Sequence, residues 1–195
     1  FDWMLGRTAF GAEIREEDLV SGNLGELLDH PLHIHGTDRD YTHGINRTNV
    51  QFVLEHNILL KDFTFSMGLV AVKNSWSEMN MRVYPGIDAS YHINSNWKVY
   101  ASYNSSLRMP SVTELYYNSK GYNANKNLKP EELSSVETGI KYRGQAIQGS
   151  VSVFYNHYKN LIDWILDNRA GSAVLTTANF GQINAVGTEV NLNMN

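Results

Sequence analysis

Two stretches of this 195-residue chain carry side chains able to do chemistry. The first runs Asp29-His30-Pro31-Leu32-His33-Ile34-His35, with Asp38, Asp40 and His43 close behind. Imidazoles and carboxylates are the usual ligands of zinc and related metals. On an extended strand an H-x-H pair also aims both rings to one side. His30, His33 and His35 are therefore the candidate metal ligands, although no closed structural-site spacing accompanies them. The second stretch, Leu107 to Glu132, sets Tyr116, Tyr117 and Tyr122 among Asn118, Asn123 and Asn125. Aromatic faces flanked by amides suit a large, partly planar ligand. Tyr116, Tyr117, Tyr122, Asn123 and Asn125 are the candidate ligand-binding residues. The competing expectation is that these tyrosines pack on their own rim, where tyrosine is common. No nucleophile stands with a base and an orienting group, so no catalytic residue is assigned, no cofactor is expected and an enzyme is not indicated.

The elements that must position these residues are strands. Trp97, Val99, Ala101 and Tyr103 share one face of an extended segment, and Lys98, Tyr100, Ser102 and Asn104 share the other. The same alternation predicts an all-β chain of about eight antiparallel strands in an up-and-down meander. Their spans are Thr8–Glu17, Arg47–Leu59, Phe63–Lys73, Met81–His92, Asn96–Asn104, Leu133–Tyr142, Ile147–Tyr158 (with a reach toward Trp164) and Phe180–Asn193. Pro85 cannot donate to a ladder, so Pro85-Gly86 is expected as a bulge or irregularity near one rim.

The connections alternate in length. Long ones cover Ser21–Ile45, Asn74–Asn80, Leu107–Glu132 and Ile165–Ala178, and short ones fall at Leu60–Asp62, Ile93–Asn96 and Arg143–Ala146. Outer-membrane barrels keep short turns at one end and long loops at the other. Several runs reach the length of about 9–11 residues that a tilted strand needs to cross a bilayer, against about 5–6 for an ordinary strand. Phe63, Tyr91, Trp97 and Tyr142 border the short turns on the apolar face, where an aromatic girdle would lie. A soluble all-β carbohydrate-binding or adhesion module, using the tyrosine-rich loop as a stacking platform, is the alternative.

Composition narrows the classes further. A net charge of -4 leaves no electrostatic footprint for nucleic acid. No run of about 18 apolar residues exists, so no transmembrane helix is present, which says nothing of a barrel. There is no cysteine, hence no disulfide framework. The chain starts at Phe1 and shows no signal peptide, as expected of an internal piece of something longer.

The order of motifs from Asn96 to Gly139 resembles the barrel of TonB-dependent outer-membrane receptors. Arg108, Pro110, Ser111, Glu114, Leu115 and Tyr116 match that family's R-x-P-S-x-x-E-L-Y run at a strand end. Leu128, Pro130 and Glu131, in the run Asn127-Leu128-Lys129-Pro130-Glu131, match its N-x-x-L-x-P-E signature, and Glu137 with Gly139 its E-x-G strand. Gly187, Glu189 and Asn179 extend the likeness. The resemblance implies a non-catalytic barrel wall with extracellular loops that bind a scarce nutrient, cobalamin or a ferric siderophore first. It implies outer-membrane lipid, a plug domain and TonB as partners. Arg108 and Glu114 are expected to form a charge pair fixing the loop's departure, and Glu137 and Glu189 to face the plug. The family's TonB box and plug are missing, and its barrels have about 22 strands. Residues 1–195 are thus expected to be a middle section of the barrel, without plug, TonB box or C-terminal strands. Its open strand edges are expected to promote self-association.

Overall fold

A computed structural model describes residues 2–3, 6–76, 80–168 and 173–194. Its strands are β1 (Asp2–Trp3), β2 (Gly6–Ser21), β3 (Glu26–His33), β4 (Asp40–Leu59), β5 (Phe63–Asn74), β6 (Arg82–His92) and β7 (Trp97–Arg108), followed by a short helix α1 (Val112–Tyr116). Then come β8 (Tyr122–Asn123), β9 (Glu131–Arg143), β10 (Ile147–Lys159), β11 (Ile162–Asp167), β12 (Val174–Asn179) and β13 (Gln182–Met194). The main sheet is 10-stranded in the order β1-β2-β4-β5-β6-β7-β9-β10-β13, with β3 attached to β4. A second, 3-stranded sheet orders β11-β12-β8.

The eight long strands form the meander that the alternation predicts, and each short turn closes an antiparallel hairpin. Register carries the apolar residues onto one continuous face. Phe63 pairs with Tyr91, Tyr91 with Val99, Val99 with Ile140, Ile140 with Val151 and Val151 with Val190. The neighbouring row, Thr64–Ser90–Tyr100–Gly139–Ser152–Glu189, is polar throughout apart from its glycine. A slip of one residue would exchange the two faces, so register and solvent choice are the same property here.

The apolar face is uncovered. Phe10 is 70% exposed, Ile14 76% and Val190 72%. Each such side chain would gain about 1.5–3 kcal/mol on leaving water, which an apolar solvent supplies and an aqueous one does not. At the short-turn end, the Trp97 and Tyr142 rings meet at 4.8 Å and Phe63 stacks on Phe65 at 6.4 Å. These rings make the girdle expected at a membrane boundary. Among the described residues no ladder joins β13 back to β2, so the sheet stays open.

Several boundaries differ from the sequence expectation. β4 starts at Asp40, within the stretch assigned to a loop, because Gly44 and His43 pair with Val20 and Ser21 of β2, and Tyr41 and Asp40 with Leu32 and His33 of β3. The β2–β4 hairpin thus rises past the girdle-bounded span, and β3 flanks it. Apolar alternation cannot mark such an extension, since both faces are wet. Pro85 makes no bulge: β6 stays paired with β5 through it, Leu69 opposite Pro85. The β6–β7 ladder instead ends at Gly86–Asn104, one residue short of the proline, and Ser105 Oγ donates to Pro85 O at 2.8 Å. β10 does not run on to Trp164. Asn160 adopts φ 54, and the chain leaves the main sheet there. The long loops expected at Asn74–Asn80 and Ile165–Ala178 lie partly outside the described residues.

The loop platform above the long-loop rim as candidate ligand site

The motif residues assemble a polar knot where β7 and β9 end. Arg108 donates through Nε and Nη2 to Glu131, at 2.6 and 2.8 Å, and through Nη1 and Nη2 to Glu114, both at 3.1 Å. One guanidinium fork therefore grips two carboxylates bidentately, a geometry lysine cannot copy. Glu131 also accepts from the Ile162 amide at 2.6 Å, which ties β11 to the same point. The Arg108 hydrogen bonds hold the Glu131 carboxyl below the usual carboxylate range, against the opposing effect of burial. For Glu114 burial pushes upward, but the bonds from Arg108 and Ser111 outweigh it and the carboxyl again sits low.

Glu114 has a second role. Ser111 caps α1, accepting from the Glu114 amide at 3.3 Å, while the Glu114 carboxylate accepts from the Ser111 amide at 2.7 Å. This reciprocal capping box satisfies donors that a five-residue helix would leave orphaned. The Pro110 carbonyl accepts from Arg47 Nη1 at 3.2 Å, fixing the entry to the helix against β4. The Glu114 carbonyl accepts from Thr177 Oγ1 at 2.8 Å and from the Asn125 amide at 3.2 Å. Asn179 bridges the loops by donating to Lys129 O and Asn160 O at 2.9 and 2.7 Å and accepting from the Lys129 amide at 2.8 Å.

Among the described residues the buried apolar cluster sits in this platform, and the sheet buries only Tyr84 of β6. Leu115 is 0% exposed, Leu128 3%, Tyr116 7% and Ile162 8%, with Leu24, Ile45, Trp76 and Val112 packed against them. A sheet with one face toward lipid and one toward a lumen has no interior of its own, so the motif's Leu115 and Leu128 supply the platform's.

The five candidate ligand residues fall in different places. Tyr116 is a core residue, with Lys126 Nζ 4.9 Å from its ring centroid. Tyr117 and Tyr122 meet at 5.8 Å, and both pack edge-to-face on Trp164, at 6.5 and 5.6 Å. Trp164 is a member of this aromatic cluster that the sequence reading missed. Its only signal was a bulky aromatic in a strand outside the alternating span. Asn123 and Tyr122 are exposed on β8. Asn125 holds a local turn, its Oδ1 accepting from the Asn127 amide at 2.9 Å, and is tied to α1 by its backbone amide. Beside the platform, an 810 Å³ cleft is lined by Trp76, Tyr116, Arg82, Lys126 and Lys129. On the polar face below lies a 450 Å³ pocket bordered by Arg15, Asn49, Gln51, Tyr84 and Arg108.

His30, His33 and His35 are not brought together. β3 ends at His33, and Gly36 at φ 79 turns the chain, so the H-x-H pair does not lie on a strand. His33 Nδ1 instead faces Asp40 Oδ1 at 3.1 Å. Among the described residues no group of three or more His, Asp or Glu side chains converges as a metal site would. Lower on the wall, Glu137 accepts from Tyr100 Oη at 2.6 Å on the polar face. Gly139 and Gly187 lie under rings. A Cβ at Gly139 would meet Tyr100 Cε1 at 2.8 Å, and one at Gly187 would meet Phe154 Cζ at 2.3 Å.

Comparison with known proteins supplies the family. Residues 3–195 match the model described as TonB dependent receptor-like, beta-barrel. Over 90 residues, 46% of the chain, the sequence is 31% identical to the vitamin B12 transporter BtuB of Vibrio vulnificus, covering 14% of that protein. The fold matches the siderophore receptor PirA of Pseudomonas aeruginosa at a TM-score of 0.75, with 21% identity, over 95% of this chain and 32% of that one. It matches PirA of Acinetobacter baumannii at 0.73, with 16% identity, over 100% of this chain and 32% of that one. A ferric enterobactin receptor (PfeA) mutant of Pseudomonas aeruginosa, solved with enterobactin, matches at 0.73, with 18% identity, over 96% and 31%. The chain therefore spans about a third of the solved receptors it resembles. With its apolar face turned to lipid and its motif residues knotting the loops at one rim, the chain belongs to the TonB-dependent receptor-like β-barrel family of the bacterial outer membrane.

Proposed function

We propose that this chain is the wall and part of the extracellular ligand platform of a receptor that takes up a scarce nutrient, cobalamin or a ferric siderophore, without catalysing a reaction. The observation that carries the reading is the family match across residues 3–195, combined with a relative that is a vitamin B12 transporter and fold neighbours that are siderophore receptors. In this reading the rest of the protein supplies a plug domain and contact with TonB, and residues 1–195 are a partial barrel domain. Tyr117, Tyr122 and Asn123 contact ligand at the platform's open side, assisted by Trp164. Tyr116 holds the platform from within, and Asn125 ties the loop to α1 through its backbone amide. Arg108, Glu114 and Glu131, with Pro110, Ser111, Leu115, Asn127, Leu128 and Pro130, give the loops a fixed departure. Preorganisation of that kind lowers the ordering cost of binding.

The test is ligand binding by the full receptor and by this chain, each in detergent. The full receptor carrying Tyr122→Ala and Trp164→Ala together should bind its nutrient about tenfold or more weakly, as expected for loss of an aromatic anchor. The isolated chain should bind cobalamin and ferric siderophores more weakly than about micromolar, since the opposite wall and plug are missing. Unchanged affinity in the double variant would remove the aromatic cluster from the ligand site.

A further inference from the structure

The wall is split along part of its height. β6 pairs with β5 as far as Arg82, and β7 pairs with β9 as far as Arg108. Between β6 and β7, however, the ladder stops at Gly86–Asn104, so residues 82–85 and 105–108 face one another without ladder pairing. Pro85 has no N–H with which to continue it. Side chains cross the split instead. Ser105 Oγ takes up the Pro85 carbonyl. Higher on the wall, Glu132 of β9 accepts on one oxygen, Oε1, from Tyr84 Oη at 3.2 Å and from Arg82 Nη1. β7 lies between β6 and β9 in the sheet, so this carboxylate spans the split.

The split lies between two cavities. On the polar face the 450 Å³ pocket is bordered by Tyr84 and by Ser105, Ser106 and Leu107, consecutive residues of β7, as an open strand edge requires. At the loops, the 810 Å³ cleft has Trp76, Asn80 and Arg82 on one side and the platform's Leu128 and Lys129 on the other. Arg82 thus borders the cleft, Tyr84 borders the pocket, and Glu132 bonds to both. A ladder opens only when several backbone bonds break together, whereas this stretch opens when a few side-chain bonds do.

We propose that Glu132 is the clamp of a gate: by holding Arg82 and Tyr84 across the split it keeps cleft and pocket apart, and its release joins them into one path along β6 and β7. Glu132 is a positioning residue, since it acts through Arg82 and Tyr84. The path suits a polar solute carried in water, because Glu13, Arg15, Asn49 and Gln51 border its inner end. Its use by a nutrient rests on the receptor reading proposed above; the gate itself does not.

The test follows entry into the pocket of the full receptor on whole cells, with no nutrient present. The chain has no cysteine, so Ser106→Cys marks the pocket and Asn80→Cys the cleft, and labelling of the receptor with neither is subtracted. Fluorescein maleimide added outside should label Asn80→Cys quickly and Ser106→Cys slowly. Adding Glu132→Gln should speed labelling at Ser106→Cys about tenfold or more, as loss of a charge-assisted bond implies, and leave the rate at Asn80→Cys unchanged. The charge swap Arg82→Glu/Glu132→Arg should restore the slow rate, which a merely loosened fold would not do. Tyr84→Phe removes one bond, keeps the ring and should speed labelling about threefold. It decides if Glu132→Gln does not reach the outer membrane. An unchanged rate at Ser106→Cys in Glu132→Gln, or in Tyr84→Phe where that variant decides, overturns the gate and leaves the receptor reading standing. Equal speeding at Asn80→Cys would show general loosening of the loops and overturn it too. The receptor reading is judged separately, by nutrient binding in Tyr122→Ala/Trp164→Ala.

Discussion

At the scale of single residues, the family motif is a set of hydrogen-bond obligations. Arg108 satisfies two carboxylates, each about 15% exposed, while remaining 47% exposed itself. Arg108→Ala should therefore destabilise the rim by about 1–2 kcal/mol, less than a fully buried pair would because solvent screens the open side. Arg108→Lys should recover less than half of that loss, as one ammonium cannot serve both carboxylates. Urea unfolding in detergent reads both values. The same knot gives a pH dependence. Glu114 and Glu131 titrate lower in the folded state than their ordinary 4.5, so the unfolded chain takes up protons first. Their contribution is whole above that value and is lost as pH falls through their lower native values. The loss should be smaller in Arg108→Ala, measured by the same unfolding experiment at successive pH values. A second prediction concerns the covered glycines. Gly187→Ala places a methyl 2.3 Å from Phe154 Cζ. The ring must leave its position, at a cost of about 1–3 kcal/mol for overpacking. Gly11→Ala, whose methyl would meet Val53 Cβ at 3.8 Å, should be close to neutral.

At the scale of elements, legibility followed the solvent. The eight membrane strands could be read because two different solvents impose a strict period of 2, and that period survives in the register of every long pair. The segments that were missed lie where both faces are wet. Asp40–Asn46 extends β4 on backbone pairing alone, with β2 from His43 to Asn46 and with β3 at Asp40, Tyr41, His43 and Gly44. β11 and β12 form a small sheet of their own, to which β8 adds in parallel. The helix α1 was legible in principle, since Pro110-Ser111-Val112-Thr113-Glu114 carries the S-x-x-E box after a proline. The candidate site is legible only in part: the tyrosine-rich run stands out in the sequence, but the packing of Trp164, Thr177 and the inward turn of Tyr116 depend on contacts between distant loops. The element-scale prediction follows from this division. Amide exchange should be slowest in β9 and β10, which are paired on both sides along their length. It should be much faster in β8, whose partner contributes only Leu175 and Thr176. Ser111→Ala should cost about 1 kcal/mol by removing the cap and should speed exchange in α1 and β8, with β9 and β10 unchanged.

At the scale of the whole molecule, the open sheet defines what this chain can and cannot do alone. Among the described residues β13 pairs only with β10, and β2 meets only the two-residue β1 on its far side. Open edges and an uncovered apolar face are association sites in water. The chain without detergent should therefore sediment as oligomers, and detergent should reduce their size; a stable monomer in plain buffer would count against the open sheet. A sandwich would instead bury the Phe63–Val190 row between two sheets, and the meander order excludes that arrangement in this fold. The claim on which everything else depends is that alternate residues of one strand meet lipid and water. Because the chain has no cysteine, single cysteines can be placed along β10 and spin-labelled without interference. In bilayers, labels at Val151, Val153 and Tyr155 should be broadened by oxygen, which concentrates in lipid, and those at Ser150, Ser152 and Asn156 by a water-soluble nickel chelate. Labels shielded from both reagents at Val151 and Val153 would place that face in a protein core and contradict the barrel wall.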